Sequence, residues 1–181
     1  MPWRVTLALV LLLVATAVAR AEVRLDVVEH GLYALEAEST VRDANGVGVD
    51  TVRNICHLAT TATIALRQGT HFGLRYRMQG AAPDEIVTLT TVVRFPHEAR
   101  PPAGSAPIGS HAMTFEHRAG DLGYAGYGFD EPWELMAGSW TVQIFNGTRQ
   151  LLEFRFTVVE GADEPRPSTR GTADCFQMSS L

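Results

Sequence analysis

Three carboxylates lie close together in the segment GYGFDEPWELMAGSW, residues 126–140, and are the first candidates for chemistry. They are Asp130, Glu131 and Glu134. Hydrolysis by paired carboxylates needs two groups about 5 to 9.5 Å apart that face one substrate. Asp130 and Glu131 are adjacent, and adjacent side chains on an extended backbone point in opposite directions. This spacing favours a structural corner over a catalytic pair.

The residues around these acids are typical of two consecutive turns. Residues 131–134, EPWE, place proline at the second position of a turn, and residues 136–139, MAGS, supply glycine where a left-handed residue is needed. Asp130 precedes the first turn, where its carboxylate accepts backbone N–H groups. We therefore expect a corner of the chain with Trp133 and Trp140 buried.

The same segment has a second interpretation as an exposed binding edge. Aromatic rings combine a flat apolar face with a polar tip, which suits recognition of a glycan or a peptide. This hypothesis assigns binding to four aromatic residues and two acids: Tyr124, Tyr127, Phe129, Asp130, Glu131 and Trp133.

Three histidines raise the separate hypothesis of a metal site. His111 and His117 are an even number of residues apart, so one strand would place both on the same face, and His97 lies before them. Three imidazoles are a zinc or copper ligand set. A metal-dependent or hydrolytic enzyme that combines these histidines with a corner acid is the alternative to a non-catalytic protein. Since no known metal spacing is present, the sequence assigns no cofactor.

Other catalytic motifs are not found in the sequence. It contains no G-x-S-x-G nucleophile elbow. Gly46-Val47-Gly48 lacks the lysine and the strand-turn-helix context of a phosphate loop. These observations favour a protein that is not an enzyme.

The first 21 residues predict a cleaved signal peptide. Arg4 precedes an apolar run, residues 5–18, and Ala19-Arg20-Ala21 places small residues at the −3 and −1 positions of a cleavage site. A spanning helix needs about 20 apolar residues, so this run is short for a membrane anchor, which is the alternative. We expect an exported protein, periplasmic or secreted, with no stable membrane span after cleavage.

The charge excludes one class of partner. Loss of Arg4 and Arg20 with the signal peptide changes the formal charge from −5 to −7. Nucleic acid demands a basic face, so it is not an expected partner. All fifteen basic residues are arginine, which is typical of a GC-rich bacterial genome.

Two cysteines, Cys56 and Cys175, are candidates for one disulfide. An exported chain meets an oxidising compartment, where such a bond would tie the middle of the chain to its tail. The alternative is two independent thiols, with Cys56 as a small buried apolar residue.

Alternation of apolar and polar residues dominates the rest of the chain and predicts strands. The clearest runs are residues 72–78, 87–95, 140–144 and 152–158. Residues 24–37 predict one long strand or two, bent at Gly31, and further strands are expected at 51–58, 61–66 and 122–129. Asn146-Gly147 predicts a type I′ turn inside a hairpin of residues 139–159. Residues 96–110, rich in proline, glycine and alanine, are expected to form a long connection, a crossover between sheets.

These elements predict the fold class and the domain limits. Short strands with turns about every ten residues are typical of an antiparallel sandwich, and we expect one all-β, immunoglobulin-like β-sandwich of roughly seven to nine strands. It occupies residues 22–160, followed by a flexible tail at 161–181 that is polar and contains proline.

Three blocks of the sequence resemble a family of uncharacterised exported bacterial proteins, domain of unknown function 3859. The blocks are VVEHGLYALE, TTATIALRQGTHFGLRYRMQG, and GYGFDEPWELMAGSWTVQIF with the following LLEFRFTVV. Where the family has Pro-Gly, this chain has Ala137-Gly138, and alanine makes that turn less rigid. The resemblance implies the fold and export, and it implies no activity. Cys56 and Cys175 lie outside its pattern.

The sequence as a whole predicts an exported, non-catalytic β-sandwich module. The expected partner is a protein or an envelope or glycan component, and no cofactor is expected. The fold class by itself does not define which partner is bound.

Overall fold

Strands form wherever the apolar residues alternate. The structure is a computed structural model that describes residues 22–43, 47–101 and 106–161. Within these ranges it contains nine strands and one 3₁₀ turn, Pro132–Glu134. The strands are β1 (Arg24–Arg42), β2 (Gly48–Ala59), β3 (Thr63–Ala65), β4 (His71–Gln79), β5 (Ile86–Ala99), β6 (Ile108–Arg118), β7 (Leu122–Gly128), β8 (Gly138–Asn146) and β9 (Arg149–Val159).

The strands build two sheets that face each other across one apolar core. One sheet has the order β2-β1-β4-β7, and the other has the order β3-β9-β8-β5-β6. The neighbouring strands are antiparallel, except for β3 and β9, which run parallel. The predicted β-sandwich is therefore confirmed.

Trp140, on β8, lies at the centre of the core. Its side chain is fully buried, and its indole N–H donates a hydrogen bond to the Met136 carbonyl oxygen at 2.9 Å. The indole ring contacts Phe72 of one sheet and Phe95 of the other, at centroid distances of 5.9 and 5.0 Å. Trp140 therefore joins the two sheets, as expected from its place after the corner.

The final hairpin forms, but its turn lies one residue later than predicted. Asn146 pairs with Arg149, so Gly147 and Thr148 make the two-residue loop. Gly147 has a positive φ of 58°, whereas the φ of Asn146 is not positive. Glycine at the first loop position is the arrangement of a type II′ turn. The predicted type I′ turn at Asn146-Gly147 is wrong.

The segment 96–110 is not a crossover between sheets. β5 continues to Ala99 and β6 begins at Ile108, and the two strands pair antiparallel within one sheet. The pairing is irregular between Arg94 and Ala99, where Pro96 lies. A proline is tolerated in a strand at such an irregularity. The loop-like composition concealed this extension of β5.

The paired ends of β1 and β2 extend beyond the rest of their sheet. β1 pairs with β4 only as far as Tyr33, whereas its pairing with β2 continues to Arg42. We call residues 34–43 and 47–56 the arm. The Arg42 guanidinium lies 2.7 Å from the Glu131 carboxylate, and Asp43 lies 3.3 Å from His111 of β6. These contacts attach the end of the arm to the corner and to the opposite sheet.

Two predicted segments fall outside this description. The predicted signal peptide, residues 1–21, and residues 162–181 of the predicted tail lie outside the described residues. In the described ranges, no helix has the length and apolar character needed to cross a membrane.

Candidate functional site

A cavity of about 280 Å³ lies between the arm and β7. β7 is the last strand of its sheet, and its five consecutive residues 124–128 line the cavity. Successive side chains of a strand point to opposite faces, so a continuous run of lining residues means that the edge of the strand faces the cavity. The arm thus covers one unpaired strand edge and encloses space beside it.

The walls of this cavity combine apolar and polar side chains in similar numbers. Apolar side chains come from the arm and from both sheets: Leu35, Val49, Val52, Ile55, Val93, Met113 and Ala125. The polar side chains that line it are Asp50, His71, Thr91, His111, Tyr124, Tyr127, Asp130 and Glu134. A concave space in which polar groups converge among apolar side chains is a form that small-molecule sites take.

Glu134 is a structural carboxylate at the base of the corner. It is 3% exposed, and it accepts hydrogen bonds from the Tyr127 hydroxyl at 2.9 Å and from the backbone N–H groups of Asp130 and Glu131 at 2.7 and 2.8 Å. Burial raises the pKa of the Glu134 carboxyl, while the three donors act in the opposite direction. Glu134 therefore holds the corner that the sequence predicts.

The other two corner acids have separate partners. The Asp130 carboxylate lies 3.5 Å from the His71 imidazole, and hydrogen bonding to His71 lowers the pKa of Asp130. Glu131 pairs with Arg42 of the arm. Asp130 and Glu134 line the cavity, while Glu131 lines an adjoining depression. All three acids border that depression, but Asp130 and Glu131 are held by different side chains and Glu134 by the backbone of the corner, so each has a separate structural role.

The aromatic residues of the predicted binding edge are divided between the core and the cavity. Phe129 is fully buried and Tyr127 is 8% exposed, and both rings contact Trp140. Trp133 is half-buried against the core. Tyr124 packs edge-on against Tyr33 with ring centroids 5.1 Å apart. The structure thus offers no exposed platform at Tyr127 and Phe129, and Tyr124, Tyr127 and the exposed Asp130 line the cavity.

The three histidines of the metal hypothesis lie apart. His111 pairs with Val93 and His117 with Val87, six positions along β6, which corresponds to about 20 Å at the rise of a strand. His97 lies near the end of β5, with its ring beside the Glu98 carbonyl oxygen. Within the described ranges, no three His, Cys, Asp or Glu side chains are grouped so as to hold a metal ion. The convergence required by the metal hypothesis is therefore absent from this part of the chain.

Two of these histidines are expected to make the folded protein less stable in acid. Burial lowers the pKa of both His111 and His117, against the opposing effects of Asp43 and Asp121. A histidine whose pKa is lower in the folded state than its usual value of 6.5 binds more protons when unfolded. We expect the free energy of unfolding to fall as the pH drops below about 6.5.

Chemical denaturation between neutral pH and pH 5 measures this dependence. His117→Gln, which removes one titrating ring, should lose less stability over this range than the wild type. His97→Gln serves as the control because His97 is exposed. A wild-type stability that rises as the pH falls would contradict the assignment.

Sequence patterns did not identify several residues that build the cavity. Thr91 lies on β5 in the inward-facing row of Val87, Leu89, Val93 and Phe95. It is 6% exposed, and its hydroxyl has no hydrogen-bond partner in the structure. A hydroxyl within an apolar inward-facing row was the signal available in the sequence. Asp50 and His71 carry no such signal, because their role depends on how the arm folds.

The described part of the chain does not test the predicted disulfide. Cys56 lies in β2 and is 5% exposed. Cys175 lies outside the described residues. The pairing of Cys56 with Cys175 thus stays a prediction.

The fold and the covered cavity define an immunoglobulin-like β-sandwich module. The chain belongs to the family described as Domain of unknown function (DUF3859), whose model matches residues 21–158. This membership confirms the resemblance carried by the three sequence blocks.

One solved structure supports the fold class. It is the crystal structure of an immunoglobulin-like protein (PA1606) from Pseudomonas aeruginosa, which is 25% identical in sequence, with a TM-score of 0.56. The similarity covers 78% of this chain and 99% of that protein. None of the curated proteins matches this chain.

Proposed function

We propose that this chain is an exported, non-catalytic module that binds a ligand group of an envelope partner in the cavity beneath the arm. The observation that carries the proposal is the cavity itself, about 280 Å³ and lined by both apolar and polar side chains. It lies beside the edge of β7 and has the arm as its cover. Membership of a family without a described activity and an immunoglobulin-like neighbour both fit a binding role.

The residues that line the cavity favour binding over catalysis. Its described lining residues include no serine, cysteine or lysine to act as a nucleophile. Glu134 is engaged by three hydrogen-bond donors and supports the backbone of the corner. Asp130 and His71 form one acid–histidine pair at the cavity, and a second pair, Asp43 with His111, has its histidine in the lining. The described lining offers neither imidazole a serine or cysteine to activate as a nucleophile.

Export is the second part of the proposal, and it rests on the N-terminal sequence. Arg4, the apolar run of residues 5–18 and Ala19-Arg20-Ala21 have the order of a signal peptide. The family match begins at residue 21, where the proposed leader ends. An oxidising compartment would allow Cys56 and Cys175 to pair.

Filling the cavity tests the binding function. Val52 lies on the arm, lines the cavity and is half-buried, so Val52→Trp should occupy the space without disturbing the core. Val41→Trp is the matched control, since Val41 is 66% exposed on the same arm and does not line the cavity. We expect ligand-observed NMR with a library of small fragments to give binders that Val52→Trp loses and Val41→Trp keeps. Fragments that bind all three proteins equally would refute a site beneath the arm.

A further inference from the structure

We propose that the cavity beneath the arm accepts a cationic group on an apolar body, such as a primary ammonium or a guanidinium. This inference rests on the proposed binding function and names the class of ligand. It follows from the charges that line the cavity, from one unpartnered hydroxyl and from the size of the space.

The cavity is lined by carboxylates whose negative charge is only partly neutralised. Asp50, Asp130 and Glu134 line it, and its described lining residues include no arginine or lysine. Asp50 accepts a hydrogen bond from the neutral Thr40 hydroxyl at 2.6 Å, and Glu134 accepts from neutral donors. In the described ranges, neither of these two carboxylates forms an ion pair. A cation entering the cavity would therefore find carboxylates that no other cation holds.

The adjoining depression does not supply the missing positive charge. It shares Asp50, Asp130 and Glu134 with the cavity and adds Arg42 and Glu131. The Arg42 guanidinium is bound to the Glu131 carboxylate at 2.7 Å, so each neutralises the other. Among the described residues, the carboxylate beside the His71 imidazole is that of Asp130, at 3.5 Å. The region as a whole keeps more carboxylates than cations.

Thr91 is an independent indication that a polar ligand group belongs in the cavity. Its side chain lines the cavity, it is 6% exposed, and its hydroxyl oxygen has no hydrogen-bond partner in the structure. A buried polar group left unsatisfied is costly, and the great majority of such groups are paired. An N–H donor of a bound ammonium or guanidinium would satisfy this oxygen.

The volume and the walls define the rest of the ligand. A cavity of about 150 Å³ holds benzene, so a cavity of about 280 Å³ holds roughly ten non-hydrogen atoms. Leu35, Val52, Ile55, Val93 and Met113 provide an apolar lining for them. A short alkyl or aromatic amine fits this description, as does the side chain of an arginine or lysine on a partner protein.

Three probes of similar size distinguish the contribution of the ligand's charge to affinity from that of its apolar body. Octylamine, octanol and octanoate each have about nine or ten non-hydrogen atoms, within the capacity of the cavity. Calorimetric titration of the mature protein at neutral pH should show octylamine binding at least about tenfold more tightly than octanol, with octanoate weakest. Equal or tighter binding of octanol or octanoate would overturn the cation inference and leave the proposed binding site intact. Binding of none of the three would count against both.

Removal of the carboxylate charges tests the same inference from the protein side. In the double variant Asp50→Asn, Asp130→Asn, each amide keeps the shape and one acceptor oxygen, so the preference for octylamine over octanol should shrink to about threefold or less. The control, Asp26→Asn with Asp84→Asn, removes the same charge from exposed positions, 55% and 81% exposed, away from the cavity. An undiminished preference in the first double variant would overturn the inference, as would an equal loss in the control.

Discussion

Replacing Trp140 with alanine is expected to lower the free energy of unfolding by roughly 3 to 5 kcal/mol, the cost of truncating a core aromatic. Trp140 is fully buried and contacts aromatic rings of both sheets. The change also removes the hydrogen bond to the Met136 carbonyl. The midpoint of urea denaturation, followed by circular dichroism, measures the loss.

Trp133→Ala is the matched comparison for this prediction. Trp133 packs against the core but is half-buried, and its indole N–H has no partner in the structure. Its truncation removes less contact and no hydrogen bond, so its midpoint should fall by less than that of Trp140→Ala. Equal midpoints for Trp140→Ala and the wild type would show that Trp140 does not join the sheets.

Replacing Gly31 with alanine is expected to lower the free energy of unfolding nearly as much as replacing Trp140 with alanine. Gly31 has a φ of 139°, a conformation that other residues rarely adopt, and a Cβ there would overlap the Ala59 carbonyl oxygen of β2. Backbone strain of about 1 to 3 kcal/mol and overpacking of about 1 to 3 kcal/mol together predict a loss of roughly 2 to 6 kcal/mol. Because Gly31 lies where β1 passes from the sheet toward the arm, the change also disturbs the cover of the cavity.

Gly109→Ala provides the control for Gly31→Ala. A Cβ at Gly109 in β6 meets no heavy atom within 4 Å, and Gly109 does not have a positive φ. Its stability should stay within about 1 kcal/mol of the wild type. If both glycine variants unfold at the same denaturant concentration, the backbone conformation at Gly31 is not a constraint on the fold.

The sandwich could be predicted because most of its strands have a recognisable local pattern in the sequence. Residues such as Leu74, Tyr76 and Trp140 alternate with polar neighbours, and this alternation decides which face is buried. The connections between strands were harder to predict, because their course depends on pairing between distant strands. The extension of β5 past Pro96 was concealed by its composition, and the hairpin turn moved by one residue because Gly147 takes the first loop position.

The cavity could be predicted only in part. Asp130, Tyr124 and Tyr127 were candidates from the sequence, and they do line it. Asp130 is exposed as expected, but Tyr124 and Tyr127 are not, because a run of aromatic residues does not show whether a distant segment covers it. The arm is that segment, and its position depends on contacts such as Arg42 with Glu131, 89 residues apart.

The most direct test of a binding site beneath the arm is backbone-amide NMR of the protein during titration with octylamine. The amide shifts are predicted to concentrate in β7 at residues 124–128, in the arm at residues 48–52 and around Thr91. Shifts concentrated around residues 81–84 and 119–120, where a separate depression lies at the far end of β4, would contradict the account.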